Sequence, residues 1–196
     1  MDSLHRFFTG LACIAGVLAA LTLTSSGSAA AEPGRASLYL GGGVSLPFNM
    51  MNRYTAVGVG SMIGVGLRPF SASPEIEFVP RIDYDRFSTD RSAGGAYAFY
   101  RTGLYLKMVT EYSRPNRPFL TLGVGVANVR IGPSNGFPPF QGKSRRSTNV
   151  FGSGGFGYEI RCGKKVGAIA SLELVDILDS LFGDYRFFRF SLGIRF

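Results

Sequence analysis

The 196 residues hold 45% hydrophobic and 17% charged side chains, with 27 glycines that follow no three-residue period. A soluble domain carries about 25% charged residues, so collagen and disordered linker are poor fits and one domain with much apolar surface is expected. The balance of 21 basic to 13 acidic residues, formally +8, points to anionic neighbours such as outer-membrane lipid and lipopolysaccharide phosphate, and an exported chain is not expected to meet nucleic acid.

Residues 1–6 place a basic Arg6 ahead of the largely apolar stretch 7–23, and 24–31 are small or polar, ending on Ala29, Ala30 and Ala31. This is the pattern of a secretory signal peptide, so residues 1–31 are expected to be cleaved after Ala31, leaving 32–196 as the mature domain. The apolar stretch is short for a membrane span. Cys13 precedes most of it instead of following it, which speaks against a lipid anchor. Beyond the leader remain one cysteine, Cys162, and no histidine. Neither a disulfide nor a metal-ligand spacing can be built from that, and no metal or cofactor is expected.

About eight runs of ten to fourteen residues follow, each with period two and separated by turn signals. Residues 36–46 set Leu38, Leu40, Val44 and Leu46 against Tyr39, Gly41, Gly43 and Ser45. Residues 55–68 set Val57, Val59, Ile63, Val65 and Leu67 against glycines, Met62 and Arg68. In 75–87 the apolar set is Ile76, Phe78, Pro80, Ile82 and Tyr84, and the other face carries Glu75, Glu77, Arg81, Asp83 and Asp85. Pro80 cannot donate to a ladder and predicts an edge or a bulge. Residues 97–109 oppose Tyr100, Leu104, Leu106 and Met108 to Arg101, Gly103, Tyr105 and Lys107.

The second half repeats the form. Residues 119–130 oppose Leu120, Leu122, Val124 and Val126 to Thr121, Gly123 and Gly125. Residues 149–161 oppose Val150, Phe156, Tyr158 and Ile160 to Ser153, Gly155, Gly157, Glu159 and Arg161. Residues 166–175 oppose Val166, Ala168, Ala170, Leu172 and Leu174 to Gly167, Ser171 and Glu173. The last run places Phe188, Phe190, Leu192, Ile194 and Phe196 on one face, with Phe187, Arg189, Ser191, Gly193 and Arg195 on the other.

Apolar faces turned inward would describe a soluble barrel, but its solvent face would then be bare with glycine. Turned outward to lipid, they predict an all-β fold, an eight-stranded antiparallel up-and-down transmembrane β-barrel. Glu77, Arg81, Asp83, Arg101, Lys107, Glu159, Glu173, Arg189 and Arg195 would then line a narrow interior, where unpaired charge is costly and a paired network is required.

Strand number, leader, glycine-rich alternation and the terminal Phe196 together resemble the small eight-stranded outer-membrane proteins of the OmpA/OmpX kind, including the opacity-like, porin-related group. The resemblance implies that Phe188, Phe190, Leu192, Ile194 and Phe196 are the signal read by the barrel-assembly machinery. It further implies a monomer in the outer membrane of a Gram-negative bacterium, with periplasmic termini. Loops 47–54, 88–96, 131–148 and 176–184 would be extracellular, and turns 69–74, 110–118 and 162–165 periplasmic. With no tryptophan in the chain, an aromatic girdle would use Tyr39, Tyr84, Tyr112, Phe119 and Tyr185.

Catalysis is not expected, because a chain without histidine beyond the leader lacks the side chain that shuttles protons near neutral pH. The segment 152–157 matches G-x-G-x-x-G but continues as a strand with no helix behind it, so it is read as crowding relief and not as a nucleotide site. In loop 131–148, Lys143, Arg145 and Arg146 stand near Phe137 and Phe140, a candidate contact for lipopolysaccharide phosphates or an acidic glycan. The expected role is structural or surface-interacting, with a small channel for water or small solutes as the alternative and a soluble periplasmic ligand binder as the third.

Overall fold

Alternation with period two runs far enough in each segment to build eight strands. They are β1 (Ala36–Phe48), β2 (Thr55–Leu67), β3 (Ile76–Thr89), β4 (Ala96–Val109), β5 (Asn116–Ile131), β6 (Arg145–Arg161), β7 (Gly167–Leu178) and β8 (Tyr185–Arg195). The computed structural model describes residues 36–48, 55–69, 75–89, 96–110, 115–133, 144–162, 166–178 and 184–196. The leader with its cleavage after Ala31, Tyr112 and Lys143 lie outside the described residues. Each strand pairs antiparallel with the next, and β8 returns to β1 from Tyr39↔Arg195 to Phe48↔Arg186, closing the barrel.

The burial pattern is the inverse of a soluble protein's. Val59 is 63% exposed, Val124 61% and Phe156 60%, whereas Arg101, Arg117 and Arg189 are fully buried. An apolar belt of this extent requires a nonaqueous neighbour, and the inward-apolar, soluble arrangement is excluded. On β8 the outward residues Phe188 to Phe196 cover eight steps of about 3.4 Å, roughly 27 Å of strand. At a tilt of about 40° that is roughly 21 Å of height, close to the apolar band of about 25 Å in membrane barrels. The molecule is a transmembrane β-barrel.

Several expectations about local structure are corrected. Pro80 is at neither an edge nor a bulge: it lies within β3, in uninterrupted register with Leu104 of β4. Its missing N–H shows on the other side, where the β2–β3 ladder skips from Gly64↔Arg81 to Leu67↔Phe78 without changing register. The register shift of that pair is instead between Thr55 and Gly58. Glu75 precedes β3 and is exposed, its carbonyl accepting from the Val109 amide at 2.8 Å. Tyr39, Phe119 and Tyr185 are buried inside the barrel, so they cannot belong to a girdle; their inward parity overrides their aromatic character. β5 and β6 also begin earlier than the apolar pattern indicates, pairing from Asn116↔Ile160 to Ile131↔Arg145. Arg145 and Arg146 are thus strand residues, and turn 110–118 shrinks to 110–115.

Interior glycines let strands and large side chains share a narrow lumen. A Cβ on Gly43 would collide with the Phe190 carbonyl and come within 2.9 Å of the Ser191 Cα, whereas one on outward-facing Gly152 meets nothing within 4 Å. Gly43→Val is therefore expected to lower the urea midpoint of the detergent-solubilised barrel, at a cost of about 1–3 kcal/mol for overpacking. Gly152→Val should leave it unchanged. Equal midpoints for the two variants would refute the packing assignment.

Candidate functional site

Strand β3 organises the interior, because its inward positions Glu77, Val79, Arg81, Asp83, Asp85 and Phe87 pass through every level of the lumen. At mid-height Asp83 accepts from Arg81 Nε at 2.8 Å, from the Tyr105 hydroxyl at 3.0 Å and from Arg189 Nη1. Asp85 accepts from Arg101 Nη2 at 2.9 Å and from the Ser45 hydroxyl at 2.8 Å. Arg81 Nη2 donates to both oxygens of Glu173, at 2.6 and 2.9 Å. Since β3 and β7 are opposite in an eight-strand ring, this pair reaches across the full width of the lumen. Three arginines face three carboxylates here, so the layer is neutral.

A second layer lies toward the mouth that holds the end of β8. Glu159 accepts from Lys107 at 2.7 Å, from Arg195 Nη1 at 2.8 Å and from Arg117. Glu77 accepts from the Tyr39 hydroxyl at 2.6 Å and from Arg68 at 3.4 Å. Lys107 lies between the rings of Tyr39 and Phe119, 4.8 and 4.5 Å from their centroids, which compensates part of its desolvation. Between the two layers is a cavity of about 40 Å³ lined in part by Tyr39, Arg81, Tyr105, Lys107, Phe119 and Glu173. Such a space suits a few waters and falls far short of a solute site of about 300 Å³.

The opposite mouth is filled by aromatic rings. Phe87 meets Phe99 edge-on at 5.5 Å and Phe187 at 5.2 Å, and Phe99 meets Tyr185 at 5.5 Å. Phe87, Phe99, Phe151 and Phe187 are fully buried, so this end is closed by packing rather than by charge.

The structure puts Glu77, Arg81, Asp83, Arg101, Lys107, Glu159, Glu173, Arg189 and Arg195 on this inward surface and joins them to one another. Arg68, Asp85, Arg117, Ser45 and the two tyrosine hydroxyls complete the network. Arg117 was hidden between Pro115 and Pro118, which read as a turn; extending the alternation back from Phe119 by two residues would have found it. Phe188, Phe190, Leu192, Ile194 and Phe196 are all exposed on the outward side. Arg145 and Arg146 face opposite sides of β6, the first half-buried and the second exposed, so the described structure does not gather them into one site. Among the described residues no group of three or more histidine, cysteine or acidic side chains could hold a metal ion.

No protein-family model and no curated protein matches the chain. Solved structures do. Neisserial surface protein A, NspA, superposes with a TM-score of 0.65 at 15% identity, over 83% of this chain and 96% of that one. Ail, the attachment invasion locus protein of Yersinia pestis, superposes with a TM-score of 0.52 at 14% identity, over 82% of this chain and 97% of that one. The chain has the fold of the small eight-stranded outer-membrane barrels. At these identities the likeness extends to the fold, and the interior and surface chemistry must be argued from this chain's own residues.

Asp83→Ala would leave the buried cations Arg81, Arg101 and Arg189 with only Asp85 and Glu173 to offset them. The expected loss is about 3–5 kcal/mol, the usual cost of stranding buried charge. Asp176 pairs with Arg186 at 2.9 Å where both are more than a third exposed, and Asp176→Ala should cost under about 1 kcal/mol. Urea unfolding of both variants in the same detergent checks the contrast, and a smaller loss for Asp83→Ala would overturn it.

Proposed function

We propose that the protein is a plugged outer-membrane barrel of a Gram-negative envelope, with a structural or surface-interaction role and no catalytic turnover. The observation that carries this reading is the Arg81–Glu173 pair, which spans the lumen between opposite strands at 2.6 Å. The aromatic layer above and the Glu159 cluster below occupy the same lumen at two further levels. Five interior carboxylates, Glu77, Asp83, Asp85, Glu159 and Glu173, each accept from a cationic side chain, which supports a structural role for them.

The route to this location begins with export behind a leader cleaved near Ala31. The outward comb of Phe188, Phe190, Leu192, Ile194 and Phe196 is then the feature that the barrel-assembly machinery reads. The mature chain is a monomer with both ends periplasmic and the connections between β1 and β2, β3 and β4, β5 and β6, and β7 and β8 at the cell surface.

Two measurements test this. Membrane-extracted protein should migrate faster unboiled than boiled on a denaturing gel, and recovery in the periplasmic extract without that shift would overturn the membrane location. In planar bilayers the purified barrel should give no steady openings. Sustained conductance would overturn the plug and favour the channel for water or small solutes.

A further inference from the structure

The outward face of β3 to β6 changes character in three successive register rows. Ile82, Thr102, Val126 and Val150 form the upper edge of the apolar belt; Tyr84, Tyr100, Asn128 and Thr148 form the next row; Arg86, Ala98, Arg130 and Arg146 form the third. Rows are two residues, about 7 Å of strand, apart. Apolar, then aromatic and amide, then cationic is the order in which a bilayer changes from acyl chain to headgroup.

The third row is electrostatically unfavourable by itself. Arg130 and Arg146 are directly opposed in the β5–β6 ladder, their Cβ atoms about 5 Å apart, so two like charges project from neighbouring positions. Arg86 stands two strands from Arg130, at about 10 Å. Among the described residues no carboxylate pairs with any of the three, and the outward acids that do form ion pairs, Asp176 and Asp184, are held by Arg186 at the β7–β8 end. Arg130 is also held in place: its guanidinium lies 4.9 Å from the Tyr100 ring, which packs 4.9 Å from Tyr84. Below it, Thr148 donates to the Asn128 side-chain oxygen at 3.0 Å, leaving the amide nitrogen of Asn128 as a further donor.

We propose that Arg86, Arg130 and Arg146 form a clamp for the phosphate groups of lipopolysaccharide, whose acyl chains lie on the apolar rows beneath. Guanidinium groups bind phosphate through paired N–H donors, and an anion seated over this row is attracted by all three cations. Three cations spread over about 15 Å of sheet suit a glycolipid with more than one phosphate better than a single phosphodiester. The clamp rests on the outer-membrane reading, with the β3–β4 and β5–β6 connections on the lipopolysaccharide side. It shares only Arg146 with the basic cluster expected in loop 131–148.

The test uses the full-length barrel extracted from outer membranes, as wild type and as the triple variant Arg86→Gln, Arg130→Gln, Arg146→Gln, with Arg186→Gln as the control on the other flank. Purified lipopolysaccharide, its dephosphorylated form and phosphatidylglycerol vesicles serve as probes. Wild type and the control are expected to bind lipopolysaccharide at least tenfold more tightly than the triple variant and to lose that margin on the dephosphorylated form. A triple variant that keeps its heat-dependent gel shift yet binds lipopolysaccharide as wild type does would overturn the clamp and leave the membrane barrel intact. Equal binding of phosphatidylglycerol by wild type would overturn the choice of ligand. Absence of the gel shift in wild type would overturn the clamp together with the reading on which it rests. Should the triple variant fail to fold, the exposed Arg146→Gln alone carries the test, with a several-fold loss expected and no loss overturning it.

Discussion

A backbone amide in hydrocarbon has no water to bond to, and each unsatisfied group costs several kcal/mol. A sheet in that setting must return to its own first strand, and here β8 does so along ten residue pairs, Tyr39↔Arg195 to Phe48↔Arg186. Everything else in the molecule follows from that closure. It fixes the parity of all eight strands at once, because a slip of one residue anywhere would turn arginines to lipid and leucines to the lumen. It also explains the glycines at the seam: Gly41, Gly43 and Gly193 sit where an added Cβ would meet backbone atoms of the facing strand.

Closure at eight strands leaves an interior just wide enough for side chains, and this chain fills it with charge. Replacing buried ion pairs by apolar residues is often neutral or stabilising in soluble proteins, so stability alone is a weak reason for the network. Its stronger consequence is to distinguish inside from outside. Leucine is equally comfortable against lipid and inside a barrel, whereas Arg101 or Lys107 on the lipid face would cost roughly 2–4 kcal/mol near the bilayer midplane. The same pairs that enforce parity also occupy the lumen. Long arginines reaching from β3 to β7 and from β8 to β3 let one assembly constraint fill the lumen as well.

Strand faces were legible in the sequence because period two separates leucine from arginine without ambiguity, and that is why Lys107 or Glu173 could be set on the inner surface from residue spacing alone. Strand ends were not. Arg117 and Arg145 belong to strands, yet the polar, proline-flanked segments around them look the same as loops once they pass beyond the apolar belt. Partner choice was also hidden. Arg81 and Glu173 lie 92 positions apart, and the register that brings them together depends on the stagger of every strand between. Tyr39 and Phe119 show the opposite failure: their parity already placed them inside, but an aromatic's affinity for the membrane interface was given more weight. Pro80 disturbs less than its chemistry suggests, since its missing donor breaks one ladder locally while the β3–β4 pairing continues through it.

Strand length supplies the last asymmetry. β5 and β6 run for 16 and 17 residues, against 11 for β8 and 13 for β1, while the apolar stretch on each is of similar extent. Part of the surplus, including the early start of β6, lies above the belt, and there the outward positions are Asn128, Arg130, Thr148 and Arg146. A barrel needing only to span lipid gains nothing from that extension, and opposed like charges at its top are unfavourable by themselves. The β7–β8 flank resolves the same problem internally, with Asp176 directly opposite Arg186. Among the described residues the outward charges at the β7–β8 end are paired while Arg86, Arg130 and Arg146 have no carboxylate, and that asymmetry is what the proposed clamp uses.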